Sequence, residues 1–397
     1  MLYSSRSLSR RNLLYGLGAA CAARPAFSAS TTKPFTTRDT SAPIELYDDT
    51  RVFVPATING TLVRALLDTG AEMTVVDAKL ASNLGFKLQG SGSAIGTGGS
   101  SSVRFVNEVT IEVAGLGAIS QPVAVIDLSA VSQALGHPLT LLLGKDLLKN
   151  RVLDLDLPNR RLAFHASGER QMAAEGMFRS FPEVGPLRAI PVTIGGKDVQ
   201  FHLDTGSGAA LTIYPAFARE LSLPDERPSS AILTGGVGGL HPEVILSLRT
   251  VTIGCTALSD VPAMLGNAGA AQTEHPVAGA IGMAIIARFR MIADFGGDQI
   301  AFLPDLPALA PPFWRNTIGL SLQRSGDVVR SLYVMPNSPA EAAGWLEGEE
   351  YRAINGVAAT NLDMSDLRRI MGHRPGITIT FETKMGNILT LQPSRFY

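Results

Sequence analysis

Two matching stretches decide the fold: Leu66-Leu67-Asp68-Thr69-Gly70 and His202-Leu203-Asp204-Thr205-Gly206. Each Asp-Thr-Gly triplet follows two β-rich segments joined by a turn dipeptide, Asn59-Gly60 in the first copy and Gly195-Gly196 in the second. Such dipeptides favour the tight turns of β-hairpins. The sequence therefore predicts that each triplet lies where a hairpin strand ends in a loop.

Further landmarks follow each triplet in the same order. Both copies continue with a short helical stretch (around 76–84 and around 215–221) and a Gly-rich loop, and both close with an apolar run holding one glycine and a last pair of strands. The aspartates lie 204 − 68 = 136 positions apart, and the glycines of the apolar runs lie 282 − 144 = 138 positions apart. A nearly constant offset indicates an internal duplication. We therefore expect two similar, mainly β lobes, at residues 44–170 and 185–304.

The triplets also carry a specific chemistry. The glycine after each Asp-Thr pair permits a tight turn and a close backbone approach. If the two turns meet across a two-fold axis, Asp68 and Asp204 share one proton, because two carboxylates about 3 Å apart cannot both ionise. Such a pair activates a water molecule and protonates a carbonyl oxygen, which is general acid–base hydrolysis of an amide. Thr69 and Thr205 would cross-link the turns by hydroxyl–backbone hydrogen bonds. The alternative for a single triplet is an ordinary turn before a helix, without catalytic chemistry.

The two lobes resemble retropepsin-type aspartic protease subunits fused in tandem, as in the bacterial aspartyl protease-like family. The resemblance covers about residues 44–304 and implies two β-barrel lobes related by pseudo-two-fold symmetry, with Asp68 and Asp204 as the catalytic residues. By motif it also implies supporting turns, formed by Thr69, Gly70, Ala71, Thr205, Gly206 and Ser207. It implies substrate-binding flaps, formed by Ile95, Gly96, Gly98, Leu233, Gly235 and Gly236. It further implies two glycines that brace the active-site loops, Gly144 and Gly282.

The residue after the triplet differs between the two copies: Ala71 in the first and Ser207 in the second. A hydroxyl group at this position can hydrogen bond to a carboxylate and favour its ionised form, which alanine cannot do. We therefore expect Asp204 to ionise more readily than Asp68.

Residues 313–395 form a third predicted module. The segment Asn337–Gly344 predicts a short capped helix, and residues around 364–371 predict a longer one, with strands before and after them. The module resembles a PDZ domain, an α+β fold, in Ser338-Pro339-Ala340 and in Ile354-Asn355-Gly356. The resemblance implies that backbone N–H groups of one loop bind the C-terminal carboxylate of a peptide; the loop is Ile318, Gly319, Leu320 and Ser321. The alternative is a docking module without a free ligand groove.

The N-terminus carries a predicted export signal. Ser9-Arg10-Arg11-Asn12-Leu13-Leu14 resembles the bacterial twin-arginine signal, and Ala26-Phe27-Ser28 is a small-x-small cleavage site. These features predict a signal peptide at residues 1–28, a Thr/Ser-rich linker at residues 29–43, and a periplasmic or secreted protein. The alternatives are a mitochondrial-type presequence and a flexible basic tail.

Composition excludes several other classes of function. The 397 residues include 34 Lys and Arg against 35 Asp and Glu, so the net charge is −1, which disfavours nucleic acid as a partner. After the signal, no run reaches the roughly 18 apolar residues that span a bilayer. The chain has 2 cysteines, and its 6 histidines lack His-Glu-x-x-His spacing. We therefore expect no metal and no other cofactor.

Together these features predict an exported aspartic endopeptidase that acts on peptides or unfolded proteins. A PDZ module would capture a substrate or a partner. Because both lobes lie in one chain, dimerisation is not required, and we expect a monomer. The competing hypothesis is a non-catalytic peptide-binding protein that retains the protease fold.

Overall fold

The computed structural model describes residues 41–96, 98–168, 179–266 and 277–397, all within one compact unit. The chain is mainly β, with 51 % strand and 14 % helix. The predicted signal peptide, residues 1–28, lies outside the described residues, as does most of the predicted linker. No helix in the described ranges is long and apolar enough to cross a membrane.

Lobe 1 is built on an eight-stranded sheet with the order β2-β3-β4-β9-β5-β8-β7-β6. Its strands and helices are β2 Glu45–Tyr47, β3 Arg51–Ile58, β4 Thr61–Leu67, β5 Val75–Asp77, α1 Ala78–Asn83, β6 Gln89–Gly96, β7 Gly99–Val113, β8 Gly117–Ile126, α2 Ser129–Leu135 and β9 Leu141–Leu143. The helix predicted around 76–84 therefore begins later than expected, because Val75–Asp77 pairs with β8 and β9 as a strand. The side chain of Asp77 then caps α1 by accepting a hydrogen bond from the N–H of Lys79.

Lobe 2 repeats this topology strand for strand, with the order β13-β14-β15-β20-β16-β19-β18-β17. Its elements are β13 Glu183–Val184, β14 Leu187–Ile194, β15 Lys197–Leu203, β16 Leu211–Ile213, α3 Pro215–Glu220, β17 Ser229–Gly236, β18 Gly239–Ile253, β19 Thr256–Leu265, β20 Gly279–Ile281 and α4 Met283–Ile286. The shared strand order bears out the predicted duplication into two sheet-rich lobes.

A third sheet joins the lobes. Its order is β1-β11-β10-β21-β22-β12, and its strands are β1 Ser41–Pro43, β10 Arg151–Asp156, β11 Arg161–Ala166, β12 Arg179–Ser180, β21 Phe289–Asp294 and β22 Gln299–Pro304. The central pair, β10 and β21, comes from different lobes and is antiparallel. Across it, the Arg290 guanidinium donates to both oxygens of Asp154 at 2.9 and 2.8 Å, and one apolar core extends through both lobes.

The linker prediction is wrong for its last three residues. Ser41–Pro43 forms β1, which pairs with β11 at the edge of the joining sheet. The Ser/Pro composition concealed this strand because an edge strand leaves one side of its backbone unpaired and tolerates proline there.

The C-terminal module has its own sheet and its own core. After α5 Leu306–Leu309, its elements are β23 Leu320–Ser325, β24 Val328–Val334, α6 Pro339–Ala342, β25 Glu350–Ile354, β26 Val357–Ala358, α7 Met364–Met371, β27 Ile379–Thr383 and β28 Ile388–Leu391. The sheet has the order β23-β24-β25-β27-β28, and β26 pairs with β25. Trp345, Tyr351 and Phe381 form an aromatic cluster with ring centroids 4.7–5.6 Å apart. Helix α7 begins with a capping box between Asp363 and Asp366.

The C-terminal module contacts both lobes. On lobe 2, the Asn337 side chain donates to the carbonyl of Ser229 at 3.1 Å. On lobe 1, the Gln323 side chain donates to the carbonyl of Gln133 at 2.8 Å. The module therefore lies against the base of β17 in one lobe and against α2 in the other.

Candidate active site

Both Asp-Thr-Gly triplets follow strands at the centre of a sheet. β4 pairs in parallel with β9, and β15 pairs in parallel with β20. At the ends of these pairs, the N–H of Asp68 donates to the carbonyl of Leu143 at 3.0 Å, and the N–H of Asp204 donates to that of Ile281 at 3.0 Å. The two sheets therefore deliver the two aspartates in equivalent positions.

The threonines of the triplets bind the lobes together by reciprocal hydrogen bonds. The Thr205 hydroxyl accepts from the N–H of Thr69 at 3.0 Å and donates to the carbonyl of Leu67 at 3.0 Å. The Thr69 hydroxyl accepts from the N–H of Thr205 at 3.1 Å and donates to the carbonyl of Leu203 at 2.8 Å. Both threonines are buried, so these four bonds hold the turns in one arrangement.

The glycines of the triplets leave room for the opposite carboxyl group. A Cβ atom on Gly206 would lie 2.3 Å from Cγ of Asp68, and one on Gly70 would lie 2.7 Å from Cγ of Asp204. Each carboxyl therefore rests against the backbone of the other turn, where only glycine fits. The Asp68 and Asp204 carboxyls also hydrogen bond to each other.

Burial and proximity change the acidity of both carboxyls. Burial, and secondarily the charge of Asp204, raise the pKa of Asp68 from 3.8 to about 8. Burial also raises the pKa of Asp204, against the backbone N–H of Ser207, the charge of Arg51 and the N–H of Gly206. Because the pKa of Asp68 is about 8, the pair still holds a proton at neutral pH, and this proton belongs to the pair rather than to one residue.

This proton makes the stability of the fold depend on pH. The folded pair retains a proton that the unfolded chain releases above the ordinary carboxyl pKa. The stabilisation is therefore complete below about pH 4 and is lost as the pH rises towards about 8.

The double variant Asp68→Asn/Asp204→Asn removes this dependence of stability on pH. A shift of one pKa unit corresponds to about 1.4 kcal/mol, so we expect the variant to gain at least about that much over wild type between pH 5 and pH 8. Urea unfolding at the two pH values measures the difference, and Asp327→Asn, at an exposed position, is the control. Equal pH slopes in wild type and double variant would contradict the shared proton.

The role predicted for the Ser207 hydroxyl is wrong. That hydroxyl accepts a hydrogen bond from the N–H of Ala209 at 3.3 Å, and the group that donates to Asp204 is the backbone N–H of Ser207, at 3.0 Å. In the first lobe the backbone N–H of Gly70 donates to Asp68 at 2.9 Å. The greater acidity expected for Asp204 stays a prediction, without the cause given for it.

The two glycines of the apolar runs lie directly behind the loops that follow the triplets. A Cβ atom on Gly144 would lie 2.4 Å from the carbonyl carbon of Met73, and one on Gly282 would lie 2.4 Å from the carbonyl oxygen of Ala209. Both positions fit the expected bracing of the active-site loops.

The predicted flaps are two hairpins, β6–β7 and β17–β18, whose tips touch. The N–H of Gly98 donates to the carbonyl of Val237 at 3.1 Å, and a Cβ atom on Gly96 would lie 2.6 Å from that of Val237. Val237 packs against the same apolar cluster as Ala71, the residue after the first triplet. The remaining predicted flap residues also lie on these hairpins. Ile95 lies on β6 and is exposed, and β17 carries Leu233, Gly235 and Gly236.

The loop predicted to bind a peptide carboxylate is already occupied by a side chain of the same module. The buried Asn316 amide oxygen accepts from the N–H of Ile318 at 3.2 Å and from that of Gly319 at 2.8 Å. The role given to these two N–H groups is therefore wrong in this structure. Leu320 and Ser321, the other two predicted residues, begin β23. An asparagine two residues before the loop is a common turn signal and could have revealed this contact.

Sequence reasoning missed two residues of the active-site region, Asp146 and Arg51. Asp146 accepts from the N–H and hydroxyl of Thr74 at 2.9 and 2.8 Å. Arg51 lies against Gly208, since a Cβ atom there would be 1.8 Å from Nη1 of Arg51. Neither contact has a local signal, because each joins distant segments of the chain. In the described ranges, no three His, Cys, Asp or Glu residues form a group that could hold a metal ion.

Comparison with known proteins agrees with the duplicated architecture. The family model for aspartyl proteases matches residues 54–147 and again residues 190–285, so each matched segment contains one Asp-Thr-Gly triplet. Among solved structures, the chain is similar to EIAV protease complexed with the inhibitor HBY-793, at 26 % identity over 25 % of this chain and 85 % of that chain, with a TM-score of 0.21. No curated protein matches the chain. The two family matches, one in each lobe, support a tandem aspartyl protease organisation.

Proposed function

We propose that the protein is an aspartic endopeptidase that cleaves peptides or unfolded proteins with the Asp68/Asp204 pair. The observation that carries this proposal is the position of each carboxyl against the glycine of the opposite turn. That arrangement supports a proton shared between the two groups, and a half-protonated pair is what acid–base hydrolysis of an amide requires.

The chemistry follows from the two protonation states. The ionised carboxyl accepts a proton from a water molecule, whose oxygen attacks the peptide carbonyl carbon. The protonated carboxyl donates its proton to the carbonyl oxygen, so the tetrahedral intermediate carries no net charge there. Collapse of this intermediate breaks the C–N bond and re-forms the C=O bond. One hydroxyl of the intermediate returns a proton to the carboxyl that had protonated the carbonyl oxygen, and the proton taken from water passes to the leaving nitrogen, so the pair again holds one proton. No cofactor takes part in these steps.

The flaps and the joining sheet suit this function. The hairpin tips meet at Gly98 and Val237, so a substrate enters when they separate, and we propose that an extended chain binds beneath them. The β10–β21 pairing assembles both carboxyls within one chain, and we propose that the active form is a monomer. With the signal predicted at residues 1–28, the site of action would be the periplasm or the extracellular medium.

We further propose that the C-terminal module is a PDZ domain that captures peptides. Strand β23 lies at the end of the sheet order, and α7 packs against it. An extended peptide could add to this edge by backbone hydrogen bonds. Because Asn316 occupies the N–H groups of Ile318 and Gly319, the contact would be made along β23 rather than through a terminal carboxylate.

Cleavage of an unfolded protein tests the main proposal. Purified protein beginning at residue 29 is incubated with reduced, alkylated casein between pH 3 and pH 8, with and without pepstatin, and the products are sequenced by mass spectrometry. We expect internal cleavage that pepstatin suppresses. If no product forms at any pH while the protein binds the casein, the non-catalytic peptide-binding hypothesis is the correct one.

A further inference from the structure

One cation, Arg51, lies beside the carboxyl pair and is incompletely satisfied. It is the first residue of β3, and its Nη1 donates to the carbonyl and hydroxyl oxygens of Thr50 at 3.1 and 3.2 Å. Its Nε is buried and has no hydrogen-bond partner. Leaving a buried donor unpaired is costly, and the two bonds to Thr50 therefore satisfy the guanidinium only in part.

Arg51 reaches from lobe 1 to the active-site loop of lobe 2. Its Nη1 occupies the space above Gly208, four residues after Asp204. Its charge lowers the pKa of both Asp68 and Asp204, against the larger effect of burial. The equivalent position in lobe 2, 51 + 136 = 187, is Leu187, which likewise begins its strand. The position in lobe 2 that is equivalent to Arg51 therefore supplies no cation.

An ion pair between lobe 1 and the C-terminal module lies within the electrostatic reach of Arg51. Asp48 lies in the turn between β2 and β3, and its carboxylate pairs with Arg368 of α7 at 3.1 Å, each side chain being 24 % exposed. Arg368 is itself held, because its guanidinium lies 4.2 Å from the centre of the Trp314 ring, and the Trp314 indole donates to its carbonyl at 3.3 Å. Charges therefore alternate from α7 to the pair: Arg368, Asp48, Arg51 and then the shared carboxylate.

We propose that Arg51 sets the charge environment of the Asp68/Asp204 pair, and that the Arg368–Asp48 ion pair brings helix α7 of the C-terminal module into the same electrostatic network. The inference rests on the proposed function for its consequence in catalysis. It makes the C-terminal module an electrostatic part of the active site, beyond any capture of peptides.

Other charged and titratable groups surround this chain of charges. Asp49 acts on Asp48, and Tyr47 is influenced by Asp48 and by Asp363 at the start of α7. From lobe 2, Tyr214 is influenced by Asp204. Burial raises the pKa of Asp48, while Arg368 and then Arg51 lower it. The charge of Asp48 therefore depends on the two arginines.

The sign of the effect follows from electrostatics. Arg368→Gln removes a cation, and the negative charge of Asp48 then interacts with Arg51 without competition from Arg368. The positive potential at the carboxyl pair falls, so the pair titrates at higher pH. In Asp48→Asn an anion is lost, and the pair titrates at lower pH. The double variant Asp48→Asn/Arg368→Gln restores the net charge, and the shifts should largely cancel. Arg369→Gln is the matched control, since Arg369 follows on the same helix, is 76 % exposed and pairs with Asp366.

The experiment follows the carboxyl groups directly. Protein labelled with ¹³C at the Asp side-chain carboxyl is titrated by NMR, with the two resonances assigned from Asp68→Asn and Asp204→Asn, and kcat/KM for a peptide is measured over the same pH range. We expect a shift of about half a pH unit or more, upward for Arg368→Gln and downward for Asp48→Asn. Arg369→Gln should match wild type. Arg368→Lys keeps the positive charge at position 368, so its carboxyl pair should titrate close to that of wild type.

Two outcomes would overturn the inference: equal titrations for Arg368→Gln and Arg369→Gln, or shifts of the same sign for Arg368→Gln and Asp48→Asn. A failure of the proposed function looks different. In that case wild type hydrolyses no peptide, yet the NMR titration still moves with the charge at positions 48 and 368.

Discussion

Asp68→Asn and Asp204→Asn each reduce kcat/KM by about 10³- to 10⁴-fold, on the expectation that the pair supplies both the general base and the general acid. An asparagine amide fills the same space but cannot exchange a proton with the water or the carbonyl oxygen. Because the carboxyls act as one unit, the double variant should be about as inactive as either single variant.

The measurement is hydrolysis of a peptide found in the casein digest. Asp327→Asn, at an exposed position in the C-terminal module, is the matched control and should retain wild-type activity. Circular dichroism of all variants separates loss of chemistry from loss of fold. Full activity in either single variant would refute the assigned chemistry and leave another group to be found.

Thr205→Val should have the largest effect on stability. Valine keeps the shape of threonine but removes the hydroxyl that accepts from Thr69 and donates to Leu67. One N–H and one carbonyl in the opposite lobe are then buried without partners, at about 1–3 kcal/mol each. We expect the free energy of unfolding to fall by about 2–6 kcal/mol, and Thr69→Val should behave in the same way.

The matched control is Thr205→Ser, which keeps the hydroxyl and removes one methyl group, at about 0.8 kcal/mol. Urea unfolding followed by tryptophan fluorescence and by circular dichroism measures both variants. The double valine variant should lose less than the sum of the single losses, because both threonines belong to one network. Equal stability of the valine and serine variants would show that these bonds do not hold the lobes together.

Repeated local patterns made much of this architecture predictable. The triplets, the glycines of the apolar runs and the Gly-rich hairpins each occur twice at nearly the same spacing, and the structure places each pair at equivalent points of two sheets with the same strand order. Helix α7 was also expected at residues 364–371, because its apolar spacing and its cap are local signals.

Contacts between distant segments were not predictable. Arg51 and Gly208 are 157 positions apart (208 − 51), and each looks like an ordinary surface or turn residue in its own segment. The pairing of Asp48 with Arg368 crosses 320 positions. Ser41–Pro43 becomes a strand only because the exposed edge of β11 is available to it. In each case the partner, rather than the local sequence, determines the structure.

The arginine beside the carboxyl pair has a consequence for how a substrate would lie. A peptide has a direction, from its amino end to its carboxyl end. A site made of two identical halves presents the same surroundings to both orientations of the peptide. Here one flank offers Arg51 over Gly208, and the matching flank has Leu187 and Glu72 at the corresponding positions. Duplication within one chain has thus allowed the halves to diverge, and a bound chain would meet a cleft with a direction of its own.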